Sequence, residues 1–293
     1  MGDSRRSSGL LWWGRLAVVV ALLFGSGHLL GRLSTSSDAR PGAAQPARPG
    51  PSSSPIRLVA AAPITGPNRP PLPRERTGPF GSRVTTGVPD VALTFDDGPN
   101  PDWTPRVLAM LRQYQIKATF CMIGVNVRAF PYLVRDIAAE GHTLCNHSWS
   151  HDIGLGRRSP DWILADLSRT NAAIRRAVPG AKISYYRQPG GAWTPRVVAA
   201  AVQLGMTALH WQVDPQDWRK PGSSAISSTV ITLTRPGSIV LMHDGGGNRS
   251  GTTTALQSIL PNLVARFQLE ALPPGVDPPQ LFGIHLPPHP GQT

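Results

Sequence analysis

The sequence predicts an α/β fold in which a parallel sheet is wrapped by helices, and three observations predict it. Short apolar runs rich in β-branched and aromatic residues alternate with amphipathic segments. Four of the amphipathic segments open on Ser/Thr-Pro or Pro, and two of those close on Gly. The distinctive polar clusters each follow one of the apolar runs.

Taken in order, residues 91–95 form the first strand, and Thr104-Pro105 caps a helix running to about Tyr114. Residues 118–123 are the next strand, before a helix that opens near Pro131 and stops at Gly141. Residues 143–146 are the third strand, and Ser159-Pro160 starts a helix that ends before Pro179-Gly180. Residues 183–186 are the fourth strand, Thr194-Pro195 opens a helix closed by Gly205, and residues 206–213 are the fifth strand. A helix over 225–233, a strand over 238–243 and a helix over 253–267 complete the pattern. Repeated βα units mean a parallel sheet with helices outside it. Periodicity does not separate a closed barrel from an open doubly wound sheet, but in both architectures ligands bind at the carboxyl ends of the strands.

With 293 residues the chain has room for one sizeable catalytic domain and appendages. Its formal net charge of +12 points toward nucleic acid only until the distribution is read. Residues 1–83 hold 11 of the 29 Lys and Arg but 3 of the 17 Asp and Glu, which leaves 18 against 14 in the remainder. That remainder is mildly basic, and no nucleic-acid partner is expected. Arg5, Arg6 and Arg15 precede an apolar run over 16–24 that trails toward Arg32. Residues 1–32 are therefore expected to be a signal peptide or a membrane anchor, with the following chain at the extracellular face, secreted or tethered. The 16 residues between Arg15 and Arg32 are short against the ~20 of a comfortable span, so both forms stay open. Residues 33–82, rich in Pro, Ala and Ser, read as a disordered linker with a reach of roughly 40 Å. The domain is expected over 83–271, and 272–293 is a Pro-rich tail whose His285 and His289 read as solvated.

Five clusters carry the chemistry. Asp96-Asp97-Gly98-Pro99 leaves the first strand, and adjacent carboxylates there can take different roles, one binding a metal and one acting as base. An Asp-Gly-Pro turn with a helix-capping acid is the structural alternative. His147 and His151, four residues apart after the third strand, can converge on one ion, and a single carboxylate would complete a three-ligand site with open positions. After the fourth strand Arg187 offers a fixed cation for a carboxylate, and Gly190 and Gly191 permit close backbone approach. Asp214, Asp217 and Trp218 follow the fifth strand, and the sixth ends in Leu241-Met242-His243-Asp244. Each cluster alone has an ordinary structural explanation; five at one sheet edge point to a single site.

In order and spacing TFDDGP, HSWSH, RQPGG, DPQDW and LMHD resemble the motifs of the NodB-homology polysaccharide deacetylases, carbohydrate esterase family 4, over residues 88–267. The resemblance implies a distorted (β/α) barrel of parallel strands and outer helices, with a groove at the strand carboxyl ends. It implies that Asp97, His147 and His151 bind a divalent metal, usually zinc, and that Asp96 is the general base. Arg187 would orient Asp96, and Asp217 would tune His243, the general acid. Trp218 and Leu241 would wall an acetyl pocket. Gly190 stands where many relatives carry an aromatic residue, leaving a backbone N–H for the oxyanion but no side chain for the sugar. Trp193 or Trp149 would supply that stacking surface, unless they are core aromatics. Cys121 and Cys145 fall on strands that this fold makes neighbours, so export permits a disulfide, with two buried thiols as the alternative.

The implied activity is removal of acetyl groups from an N-acetylglucosamine-containing polysaccharide. Peptidoglycan is the first expectation, because a membrane tether lets the domain sample the nearby wall. The alternatives are a secreted chitin deacetylase or acetylxylan esterase of the same family and, from a different class, a non-catalytic glycan-binding protein. The last is disfavoured because base, ligands and acid are all present.

Overall fold

The computed structural model describes residues 77–273. The N-terminal signal or anchor, the linker up to residue 76 and the tail beyond residue 273, with His285 and His289, lie outside the described residues. Among the described residues no helix is long and apolar enough to cross a membrane.

Six parallel strands form one sheet in the order β5-β4-β3-β2-β1-β6. They are β1 (Ala92–Asp96), β2 (Thr119–Met122), β3 (Thr143–Asn146), β4 (Tyr185–Tyr186), β5 (Thr207–Ala208) and β6 (Ile239–His243). The connecting helices are α1 (Thr104–Gln113), α2 (Gly124–Ala129), α3 (Pro131–Ala139), α4 (Pro160–Ala177), α5 (Pro195–Gln203), α6 (Ser223–Leu233) and α7 (Ser250–Val264). Residues 207–213 close the sheet: the segment starts on β4 and ends with Val213 bridged to Val240 of β6. This switch of partners explains why the sequence, read as one strand over 206–213, yields only a two-residue strand and a distant bridge.

The period-2 alternation of side chains sorts the strands into two faces. Leu93, Phe95, Phe120, Met122, Leu144, Val240 and Met242 point outward into the large core under the helices. Ala92, Cys121, Cys145, Tyr185, Leu209 and Ile239 point inward and form a second, small cluster closed by Leu272. Cys121 and Cys145 lie in register on β2 and β3 and are joined by a disulfide. The packed unit reaches past the expected boundaries at both ends. Ser82 and Leu272 are buried, Gly78 N–H donates to the Ser82 carbonyl, and Leu272 N–H donates to Thr119 Oγ1. Arg83 N–H donates to the Ala208 carbonyl, and Leu272 ties the first residues of β2 and β3 together through the Thr119 and Thr143 hydroxyls.

The helix signals work through different atoms than the sequence suggests. Ser159 and Thr194 cap α4 and α5 by accepting from Trp162 N–H and Val197 N–H. Thr104 does not cap α1; its hydroxyl instead donates to Asp244 Oδ2 and accepts from Asn100 N–H. The short α2 has no side-chain cap and no proline to announce it.

Candidate active site

The site is the uppermost layer of the barrel interior, at the carboxyl ends of the strands. Asp96 closes β1, and Asp97 follows it with φ 72, in the left-handed region that a non-glycine residue rarely adopts. In an extended strand the two carboxylates would face opposite sides. The reversal at Asp97 lets both approach one imidazole: His147 Nε2 is 3.7 Å from Asp96 Oδ2 and 3.4 Å from Asp97 Oδ1. Ser148 and His151 also have positive φ, 64 and 61, and the turn they make brings His151 Nε2 to 3.2 Å from Asp97 Oδ1. One ligand atom from each of Asp97, His147 and His151 lies within 4.8 Å of the others.

Two features of this trio suit a cation. His147 Nδ1 lies 2.8 Å from the Arg187 carbonyl, which can only accept, so Nδ1 carries the proton and Nε2 presents its lone pair to the site. Asp97 Oδ1 is buried without a hydrogen-bond partner among the described residues, although two imidazoles face it. An orphaned buried oxygen is costly in isolation and is satisfied by a positive ion. Burial pushes the Asp97 carboxyl up, but His147, with His243 and His151, outweighs it and holds the group well below the usual carboxylate range. Burial likewise pulls His147 down, and Asp96 and Asp97 more than reverse it. His151 ends below its ordinary value, because burial and the neighbouring His147 outweigh Asp97 and Asp96.

Arg187 is fully buried and spends its guanidinium on four acceptors. Nη1 donates to Asp96 Oδ1 at 2.7 Å and to Thr94 Oγ1 at 2.9 Å, while Nε and Nη2 donate to the carbonyls of Leu209 and His210. One side chain thus fixes a carboxylate and braces the segment that closes the barrel. Asp96 Oδ2 is left facing the site.

Opposite the trio, His243 stands at the end of β6, in register with Asp96. Its Nδ1 meets Asp217 Oδ1 at 2.6 Å, and its backbone N–H donates to Asp217 Oδ2 at 2.9 Å. Burial pulls the imidazole down, but Asp217, with Asp96 and Asp97, lifts it to about 9, so it carries a proton at neutral pH. Asp217 is itself buried, immediately before Trp218, which is 46% exposed at the rim. Leu241 lies inside the barrel, two residues below His243. Gly190 is exposed beside Ile153, with φ 61.

The sequence model of the polysaccharide deacetylase family matches residues 83–209. The chain is 40% identical over 204 residues to the chitooligosaccharide deacetylase of Sinorhizobium fredii, across 65% of this chain and 94% of that protein. The chain belongs to the polysaccharide deacetylase family. It is also 39% identical over 198 residues to a peptidoglycan-N-acetylglucosamine deacetylase of Bacillus cereus, across 66% of this chain and 91% of that protein. The solved family 4 carbohydrate esterase from Streptomyces lividans, in complex with acetate, is similar with a TM-score of 0.57 and 31% identity, over 62% of this chain and 91% of that one. The distorted (β/α) barrel of these deacetylases is the fold of this chain, and its chemistry is that of a deacetylase.

In this polysaccharide deacetylase neither tryptophan considered for sugar stacking is a free platform. Trp193 is 7% exposed, and its indole N–H donates to His210 Nδ1, so it belongs to the core. Trp149 lies half-buried between the two histidines, with Arg169 stacked on its ring and its backbone N–H donating to Asp166. Its ring packs against Gly124 at the start of α2. Sequence reasoning missed Thr94, which shares Arg187, and Thr252, whose hydroxyl donates to Asp217 Oδ2 at 2.7 Å. It also missed Asp244, which is buried beneath Gly98, holds Thr104 by one oxygen, and is pushed up to about 7 by that burial. Asp244 was visible as part of LMHD and Thr94 as part of TFDDGP, though neither had a role assigned; Thr252 carries no local signal.

Proposed function

We propose that this deacetylase is a zinc hydrolase that removes the acetyl group from N-acetylglucosamine residues of the producing cell's peptidoglycan, working at the outer face of the membrane. The observation that carries the reading is the orphaned Asp97 oxygen facing two imidazole nitrogens, one of which has its tautomer fixed by a carbonyl. A zinc ion held by Asp97, His147 and His151 would polarise the acetyl carbonyl and supply a water acidic enough to attack at neutral pH.

The chain's own residues supply the rest. Asp96, fixed through Oδ1 by Arg187, takes the water proton at Oδ2. As the carbonyl carbon gains its new oxygen, the Gly190 backbone N–H faces the developing oxyanion. His243 is protonated at neutral pH and gives its proton to the departing sugar nitrogen from Nε2, because Nδ1 is committed to Asp217. The amide C–N bond breaks, acetate leaves, and the free amine remains on the sugar. Trp218 and Leu241 bound the space for the acetyl methyl.

Residues 1–32 act as the export signal or anchor and the chain from 33 to about 76 as the tether, with the positive residues before the apolar run setting an N-in orientation. A second reading, chitooligosaccharide as substrate, is favoured by the name of the Sinorhizobium fredii relative. One assay separates them: acetate release from peptidoglycan, chitooligosaccharides and acetylxylan by zinc-loaded and chelated protein. Release confined to chitooligosaccharides or acetylxylan overturns the peptidoglycan assignment, and release undiminished by chelation overturns the metal.

A further inference from the structure

The loop after His243 reads Asp244-Gly245-Gly246-Gly247-Asn248-Arg249, and it lies directly against Asp97. A Cβ on Gly245 would stand 2.1 Å from the Asp97 carbonyl oxygen, and one on Gly246 would stand 2.3 Å from Asp97 Oδ2. Backbone therefore packs on a candidate ligand where no side chain fits, and Gly246 and Gly247 adopt φ 70 and 127. Three successive glycines have no side chains to anchor them and the largest backbone freedom of any residue. Something else must hold this loop.

Arg249 holds it. The side chain is 3% exposed and folds back over its own loop, with Nε donating to the Gly245 carbonyl at 2.5 Å and Nη2 to the Gly246 carbonyl at 2.8 Å. Nη1 reaches 3.4 Å across to the carbonyl of Asp217, the residue paired with His243. A guanidinium presents these donors in one rigid plane, whereas a lysine ammonium could serve only part of the set.

We propose that Arg249 is a positioning residue for the reaction: it pins the glycine loop that limits the rotation of the Asp97 carboxylate and ties that loop to the segment carrying Asp217. The proposal rests on the three-ligand reading of Asp97, His147 and His151. A partner hydrogen-bonded directly to a metal ligand is typically worth about 10–100-fold in metal affinity, and Arg249 acts one contact further out, through the loop backbone, so the lower end of that range is its expected effect.

The test titrates zinc into chelator-stripped full chain, wild type, Arg249→Met and Arg249→Lys, by competition with a chromophoric chelator, alongside thermal unfolding and steady-state kinetics. Arg249→Met is expected to bind zinc at least about 10-fold more weakly and to lose kcat by about 10²-fold, with KM changed less than about threefold; Arg249→Lys recovers only part of both. Wild-type zinc affinity and kcat in a folded Arg249→Met protein overturn the proposal. If Arg249→Met does not fold, Arg249→Lys decides: wild-type affinity and kcat there overturn it equally. Failure of the wild type itself to bind zinc would instead sink the three-ligand reading, and the proposal with it.

Discussion

The two faces of the barrel wall are built to opposite specifications. Outside, Phe95 stacks on Phe120 with ring centroids 5.3 Å apart, inside a core that runs continuously under the helices. Inside, the floor is a small cluster around Tyr185, Leu209 and the disulfide, and the top is a buried layer of charge: Asp96, Asp97, His147, Arg187, Asp217 and His243. The same β-strands supply both, one residue apart. Stability is concentrated outside, where apolar area is removed from water, and chemistry inside, where desolvation amplifies every charge.

The sharpest break of this comparison is Asp97→Ala. Metal content is expected to fall from one ion per chain to none, and turnover by at least about 10³-fold. The metal-free variant should also melt below metal-free wild type at neutral pH, because the three imidazoles hold the Asp97 carboxyl below its usual range and so make the charged group net favourable in the folded state. Metal quantitation with paired calorimetric scans checks both; an unchanged melting temperature would show that the inner layer carries chemistry without contributing to the fold.

Phe120→Ala is the mirror experiment. Its ring is buried on the outer face, and truncation should cost about 3–5 kcal/mol of stability while zinc affinity of the folded protein stays at the wild-type value. Denaturant unfolding and the chelator competition measure the two quantities, and an altered affinity would mean that the faces are mechanically coupled.

Asp96→Asn, inside, should keep the metal and lose about 10²-fold in kcat as the proton acceptor disappears. Metal retention with near-normal kcat would reassign the base. The mildest effect is expected from Asp217→Asn. The His243 imidazole sits at about 9 because Asp217 outweighs burial, so neutralising that partner lowers its pKa. The protonated acid is then lost at lower pH, and the alkaline limb of kcat against pH moves down; a limb that stays in place would show that another group gives the leaving nitrogen its proton.

Much of the outer architecture was legible in the sequence because its signals are local. Proline in the first turn marks α1, α3, α4 and α5, and β3 falls on residues 143–146 as read. The six residues of α2 escaped because Ile123 offers no cap, and the closing segment escaped because it changes partners within seven residues. In the site, the types and order of Asp96, Asp97, His147, His151 and His243 stand out by spacing. The contacts that orient them do not: Thr252 lies 35 residues from Asp217, Arg187 is 93 from Thr94, and the glycine loop meets Asp97 only through the fold.

Leu272 gives the barrel an assembly order. Its N–H is taken by Thr119 Oγ1, its carbonyl accepts from Thr143 Oγ1, and its side chain closes the inner cluster, at sequence separations of 153 and 129. A ribosome adding about 5–20 residues per second makes every strand before it makes this residue. The floor is therefore the last interior surface to shut, and until it does Thr119 and Thr143 face water from the open end. A chain interrupted just short of residue 272 would carry every residue of the upper layer and still have a leaking base, so the vulnerability of this fold to truncation lies at the pole farthest from its chemistry.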